Sequence, residues 1–271
     1  MQNPEYSSDT KLISTGLVAL LGPPGAGKGT QAKVIASQYG MPHISTGELL
    51  RLHMERETVL GVKARGLADR GLLVADNLVC DMVAERIAEH DCARGAILDG
   101  FPRTIGQAEW LEPYLRSYSC EDGVWRQIPF IVIKINIQEE ELFRRLCGRR
   151  SCPSCGRVYN IRLRRPSTAD ACDFDGIKLI TRRDDRQDLV YDRIKTYQQE
   201  TLPVADYYSG KGQLREVDGN RPVDSVLAEA MQIIEDVFFA HRQPQYRSLN
   251  SGGCSLYGTS VYSHGQKGWD D

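Results

Sequence analysis

The sequence has no large charge of either sign: 34 Lys and Arg against 36 Asp and Glu leave a formal net charge of -2. Such a balance gives no general pull towards nucleic acid or anionic membrane, so any phosphate binding has to come from local clusters. The first fifteen residues, MQNPEYSSDTKLIST, have neither the basic start nor the apolar run of a signal peptide. No apolar stretch approaches the length of a membrane span. No segment is repeated along the chain. These absences set the expectation of a cytoplasmic chain with no nucleic-acid or membrane partner. Its eight cysteines then read as thiols or thiolate ligands rather than a disulfide framework.

What is present is an α/β rhythm. GLVALLG (Gly16 to Gly22), GAILDGF (Gly95 to Phe101) and PFIVIKINI (Pro129 to Ile137) are continuous apolar runs, each followed by a helical pattern. Runs of that kind suggest parallel strands covered on both faces. GQLREVDG reads as a last strand and VDSVLAEAMQIIEDVFF as a closing amphipathic helix. Two stretches break the rhythm. Residues 45–74 read as short helices without a strand of their own. Arg149 to Asp185 carries cysteines, prolines and many charges with little periodicity. Both look like insertions into an α/β core. The last thirty residues, rich in Ser, Gly and Tyr, read as a flexible tail.

The turn GPPGAGKGT sits between a buried strand and a helix. Its backbone amides and the helix dipole suit phosphate oxygens, and Lys28 at the helix start can reach the β and γ phosphates. A GK[ST] ending is missing: Gly29 follows Lys28, and the hydroxyl, Thr30, comes one residue later. That departs from sites where the hydroxyl directly ligates magnesium, and leaves the metal held more by phosphates and water. A second pattern lies in the second insertion. CPSC (Cys152, Cys155) is followed, sixteen residues on, by CDFD (Cys172, Asp175). That spacing leaves room for a β-hairpin to bring the halves together, and three thiolates with a carboxylate make a closed tetrahedral set typical of structural zinc. A metal-free insertion held by hydrogen bonds is the alternative.

GPPGAGKGT, ISTGELLR, LDGFPRT and an arginine-rich lid, in that order, resemble the adenylate kinases, and the likeness runs from about Gly16 to Phe239. It implies an α/β P-loop kinase fold with a five-stranded parallel sheet flanked by helices. The implied division is a CORE of residues 16–44, 75–147 and 186–240, an AMP-binding insertion of 45–74, a zinc-binding LID of 148–185, and tails at 1–15 and 241–271.

The resemblance also implies roles. Gly25, Ala26, Gly27, Lys28, Gly29 and Thr30 would hold ATP together with Arg145, Arg149, Val158, Tyr159 and Arg221. Arg221 stands where the family often has lysine, and its contact is expected from the backbone carbonyl. Thr46, Arg51, Leu72, Leu73, Val74, Gly100, Phe101, Pro102, Arg103 and Gln107 would hold AMP, with Arg182 and Arg193. Asp99, at the end of a buried strand, suits magnesium-bound water. Lys28, Arg103, Arg149, Arg182 and Arg193 would stabilise the transferring phosphoryl group, because phosphoryl transfer needs positioning and charge neutralisation more than a protein acid or base. Arg150 and Arg183 are adjacent alternatives within their pairs. Without the family match Gln107 reads as a solvated helix residue, and Asp184 and Asp185 read as a surface acidic pair or as partners of hinge arginines.

The expectation is therefore a monomeric phosphotransferase making two ADP from ATP and AMP, with magnesium as cofactor and a structural zinc. A nucleoside monophosphate kinase of other base preference is the nearest alternative. A zinc-ribbon nucleic-acid binder with a P-loop is the alternative from another class, and the balanced charge argues against it.

Overall fold

The computed structural model describes residues 16–68, 73–116 and 129–240. Leu72 and both tails lie outside the described residues. The chain runs β1 (Gly16–Leu21), α1 (Lys28–Tyr39), β2 (His43–Ser45), α2 (Thr46–Glu55), α3 (Val59–Ala68), α4 (Asp76–Ile87), β3 (Gly95–Asp99), α5 (Ile105–Arg116), β4 (Phe130–Asn136) and α6 (Glu139–Cys147). It continues through β5 (Arg149–Ser151), β6 (Val158–Asn160), α7 (Gln187–Thr196), α8 (Leu202–Gly210), β7 (Leu214–Asp218) and α9 (Val223–Ala240).

Five of these strands form one parallel sheet in the order β2-β3-β1-β4-β7. The apolar runs are continuous because alternate residues feed different layers. Leu17, Ala19 and Leu21 of β1 join a cluster with Leu98, Val132 and Tyr208, while Val18 and Leu20 join Ile35, Ile133 and Phe238 on the other face. Chain order reverses at β1, which lies between β3 and β4, so the carboxyl ends of β1 and β3 open onto the crevice where ligands of such sheets gather.

Residues 46–68 are two helices packed on each other. The segment between α6 and α7 has no α-helix; it holds the antiparallel β5–β6 hairpin, isolated bridges and a short 3-10 turn at Arg183–Asp185. Two features were not expected from the residues. The edge strand β2 is too short, at three residues, to show a period. Between α7 and α8 the helix widens into a π-turn at Tyr197–Thr201, a local feature that carries no composition signal.

Candidate active site and lid metal centre

The glycine-rich turn ends at Gly27, which is left-handed and precedes Lys28, the first residue of α1. The Lys28 ammonium folds back and donates to the carbonyls of Gly22 at 2.7 Å and Pro23 at 3.0 Å. Burial pushes its pKa down to about 8, against the attraction of Asp99 and with the nearby Arg103, Arg193 and Arg149 adding to the fall. Gly29 has a steric reason to be glycine. A Cβ there would lie 3.0 Å from Asp99 Oδ2, so a residue with a side chain directly after the lysine would press on that carboxylate. Thr30 is exposed.

Asp99 closes β3 and shares its Oδ2 with His43 Nε2 at 3.3 Å. Burial raises the Asp99 pKa, but the His43 hydrogen bond and the Lys28 charge outweigh it, so the group is held below the ordinary aspartate value. Gly100 follows with φ +78, and a Cβ on it would meet Arg103 Nη2 at 2.6 Å and Thr46 Oγ1 at 3.1 Å. Its carbonyl accepts from Thr46 Oγ1 at 2.8 Å and from Arg103 Nε at 2.8 Å. The loop thus ties the start of the first insertion to the arginine through one peptide group. Arg51 folds back over Gly47, where a Cβ would be 3.4 Å from its guanidinium. Phe101 and Val74 are buried, and Leu73 and Pro102 line the crevice. Gln107 is only 2% exposed, which removes the reading of a solvated helix residue. Its Oε1 accepts from the Arg103 backbone N–H at 2.8 Å, and its Nε2 donates to Asp76 Oδ1 at 2.7 Å.

The lid arginines meet the acidic pair. Asp185, 3% exposed, pairs with Arg149 through both carboxylate oxygens, the Nε contact being 2.6 Å, and accepts from Arg193 Nη1 at 2.9 Å. Arg193 also donates to the Asp184 carbonyl at 2.9 Å and pairs with its carboxylate at 3.2 Å. The pair therefore clamps Arg149 and Arg193 and is not a surface feature. Arg182 donates from Nε to Ser151 Oγ at 2.8 Å, and burial together with the charges of Arg149 and Arg51 pushes its pKa down to about 10. Burial likewise lowers Arg103 and Arg193 from the ordinary arginine value. Guanidiniums crowded in this way gain when an anion enters. Arg183 is exposed, and Arg150 Nη1 donates to the carbonyls of Cys147 and Arg149, so the first arginine of each pair is the one turned to the cluster. Gly22, Lys28, Gly100, Arg103, Arg193 and Tyr197 line one cavity.

Other expected contacts sit further out. Arg145 pairs with Glu141 at 2.8 Å and donates to the Gly219 carbonyl at 3.0 Å, joining α6 to the loop after β7. The Arg221 side chain turns to Glu229 at 2.7 Å, leaving only its backbone available for a base. Val158 is half-buried in the hairpin. The Tyr159 phenol lies 3.4 Å from Cys172 Sγ and accepts from the Asp173 amide at 2.9 Å, which ties its hydroxyl to the second half of the cysteine pattern. His43, Asp76, Tyr197 and Thr201 were not singled out from the sequence. Only Asp76 had a signal, as an acidic residue opening a helix, and that signal points to the helix dipole rather than to a ligand.

In the lid, each half of the cysteine pattern forms its own turn. Cys152 N–H donates to the Arg157 carbonyl and Gly156 N–H to the Cys152 carbonyl, and Cys172 with Ile177 and Gly176 repeats the pattern. The hairpin is therefore the frame of the first half, not a spacer between the two. The three thiols and the Asp175 carboxylate bring their ligand atoms within 4.8 Å of one another. Cys155 Sγ is 3.5 Å from Cys172 Sγ, and Cys152 Sγ is 3.3 Å from Asp175 Oδ2. A zinc tetrahedron needs edges of about 3.8 Å between sulfurs and about 3.5 Å between sulfur and oxygen, so the donor set fits such an ion after small adjustments. The ligands have supports: Cys155 N–H points to Cys152 Sγ at 3.5 Å and Ile177 N–H to Asp175 Oδ1 at 3.1 Å.

The family model described as adenylate kinase matches residues 20–213. A protein named adenylate kinase from Lachnospira eligens is 44% identical over 217 residues, covering 80% of this chain and 99% of its own length. Its namesake from Clostridium novyi is 43% identical over 216 residues, covering 80% and 97%. The one from Thermotoga maritima is 43% identical over 218 residues, covering 80% and 96%.

Proposed function

The chain belongs to the adenylate kinase family and is a phosphotransferase enzyme, and on that premise we propose that it transfers the terminal phosphoryl group of ATP to AMP, reversibly, giving two ADP. The observation that carries this is the single cavity shared by the P-loop lysine, Arg103 of the DGFPR loop and Arg193 of α7. ATP phosphates lie on the Gly25–Thr30 amides, with Lys28 leaving the Gly22 and Pro23 carbonyls to meet them. The AMP phosphate lies against Arg103, Arg51 and Thr46. Arg149, Arg182 and Arg193 supply the charge that the transferring group needs as it spreads negative density over its oxygens. Bound with ATP, magnesium neutralises phosphate charge, and Asp99 is the residue to hold its waters. Cys152, Cys155, Cys172 and Asp175 would hold a zinc ion, which would supply stiffness to the lid rather than a substrate site.

The same reading makes residues 45–74 the AMP-binding insertion and 148–185 the lid, in a monomeric cytoplasmic enzyme serving adenine nucleotide balance. The described residues contain no helix long and apolar enough to cross a membrane.

Gln107 distinguishes this reading from a kinase of other base preference. Its amide keeps one N–H and one lone pair unused among the described residues, which suits the adenine edge. In Gln107→Ala, the KM for AMP rises by about tenfold or more while that for ATP changes less than about twofold. Steady-state kinetics with each nucleotide varied in turn checks this. A rise confined to ATP would assign the two sites the other way round.

A further inference from the structure

A glutamine can present its oxygen and nitrogen either way round, because the two ends have nearly the same shape. Here the choice is made by chemistry. The Arg103 backbone N–H can only donate, so the end of Gln107 facing it at 2.8 Å is the oxygen. The Asp76 carboxylate can only accept, so the end facing Oδ1 at 2.7 Å is the nitrogen. Asp76 is itself held. Its Oδ2 accepts from Thr104 Oγ1 at 2.6 Å, and that hydroxyl oxygen accepts from the Gln107 backbone N–H at 3.1 Å. A Cβ on Gly106 would come within 2.9 Å of Asp76 Oδ2, so the carboxylate lies close over the first turn of α5. The arrangement is largely buried, since Gln107 is 2% exposed.

Adenine and hypoxanthine differ at two neighbouring ring positions. Adenine donates from its 6-amino group and accepts at N1; hypoxanthine accepts at O6 and donates from N1–H. An amide free to turn over would read both. We infer that Asp76 is a specificity-determining positioning residue: together with the Arg103 backbone N–H, it locks the Gln107 amide in the orientation that reads a 6-aminopurine and rejects a 6-oxopurine. Asp76 does not touch the nucleotide. This rests on the proposed reading of Gln107 as the residue that meets the base. Turning the amide over would set its N–H groups against the Arg103 N–H and its oxygen against a carboxylate, and such unpaired buried groups are what make hydrogen-bonded sites selective.

Asp76→Asn is the informative change, because an asparagine side chain of nearly the same shape can either accept from the glutamine nitrogen or donate to its oxygen. The experiment compares kcat/KM for AMP and for IMP in the wild type, Asp76→Asn and Gln107→Ala. Expected is a fall of about tenfold in the AMP:IMP ratio for Asp76→Asn, mostly through IMP improving, with kcat/KM for AMP kept within about threefold. Calorimetric binding of AMP and IMP in the cold gives the same ratio should Asp76→Asn melt early. An unchanged ratio in Asp76→Asn beside a collapsed ratio in Gln107→Ala overturns the lock and leaves the reading of Gln107 standing. An unchanged ratio in Gln107→Ala overturns both. Equal losses for AMP and IMP in Asp76→Asn mean a scaffold role only, and also overturn the lock.

Discussion

Lys28→Met should lower kcat by about a thousandfold or more and at the same time make the folded protein more stable at neutral pH. The first effect follows from position. Lys28 opens α1 beneath the glycine turn, and its ammonium is parked on two loop carbonyls from which phosphate can recruit it. The second follows from the cost of burying that charge without its phosphate. Burial takes the pKa from 10.5 in the unfolded chain to about 8 in the folded one. Below pH 8 the lysine is charged in both states, and the folded state carries the full penalty. Between about 8 and 10.5 the folded state sheds its proton first, so wild-type stability rises through that window; above it the penalty is gone. Lys28→Met removes the penalty at every pH. Its advantage should be about 2 kcal/mol at pH 7, after allowing for the two lost hydrogen bonds, should vanish between about pH 9 and 10, and should turn into a disadvantage of about 1 kcal/mol by pH 10.5, where only the hydrogen-bond loss remains. Denaturant melts of both proteins across that range check it. Equal stabilities at pH 7, or near-normal turnover in the variant, would contradict the placement of this charge.

Removing metal from the lid should cost stability and leave much of the chemistry intact. The lid's own buried apolar cluster consists of Cys152, Tyr159, Cys172 and Leu179, with Cys155 packed against it, and two of those buried residues are themselves ligands. Phe174, Leu163 and Ile180 stay exposed and contribute little burial. A segment so poor in core needs coordination energy to keep its shape. Chelation, or Cys155→Ser, should lower the melting temperature by on the order of 10 °C, equivalent to about 4 kcal/mol for a chain of this size. Activity at low temperature should persist, because four protein ligands leave no position for a substrate. Calorimetry, elemental analysis expecting one zinc per chain, and cold activity measurements belong together here. A folded metal-free protein that is inactive at every temperature would make the ion catalytic.

The parts of the site that could be read from residues alone are those where chemistry dictates a local pattern. A phosphate cradle needs glycines and a lysine at the junction of one strand and one helix, so Gly25 to Thr30 announce themselves. A tetrahedral metal site needs paired ligands two residues apart, so Cys152 and Asp175 do as well. The arginines were legible only through their likeness to a family, because a lone arginine in sequence is most often a solvated charge. Their common target depends on β3, the lid and α7 meeting in space. Gln107 shows the limit more sharply. Its burial and both of its partners come from Asp76 and Arg103, on different elements, and nothing in the local sequence marks that network. The same holds for His43 against Asp99, and for the π-turn that carries Tyr197 to the cavity wall.

The most direct test is ADP formation by the purified chain with magnesium and ATP, offered AMP, GMP, UMP and CMP in parallel. AMP should be the preferred acceptor by a wide margin, with two ADP formed for each AMP consumed. Faster turnover of UMP or CMP, or no ADP from AMP in a protein shown to be folded, would contradict it.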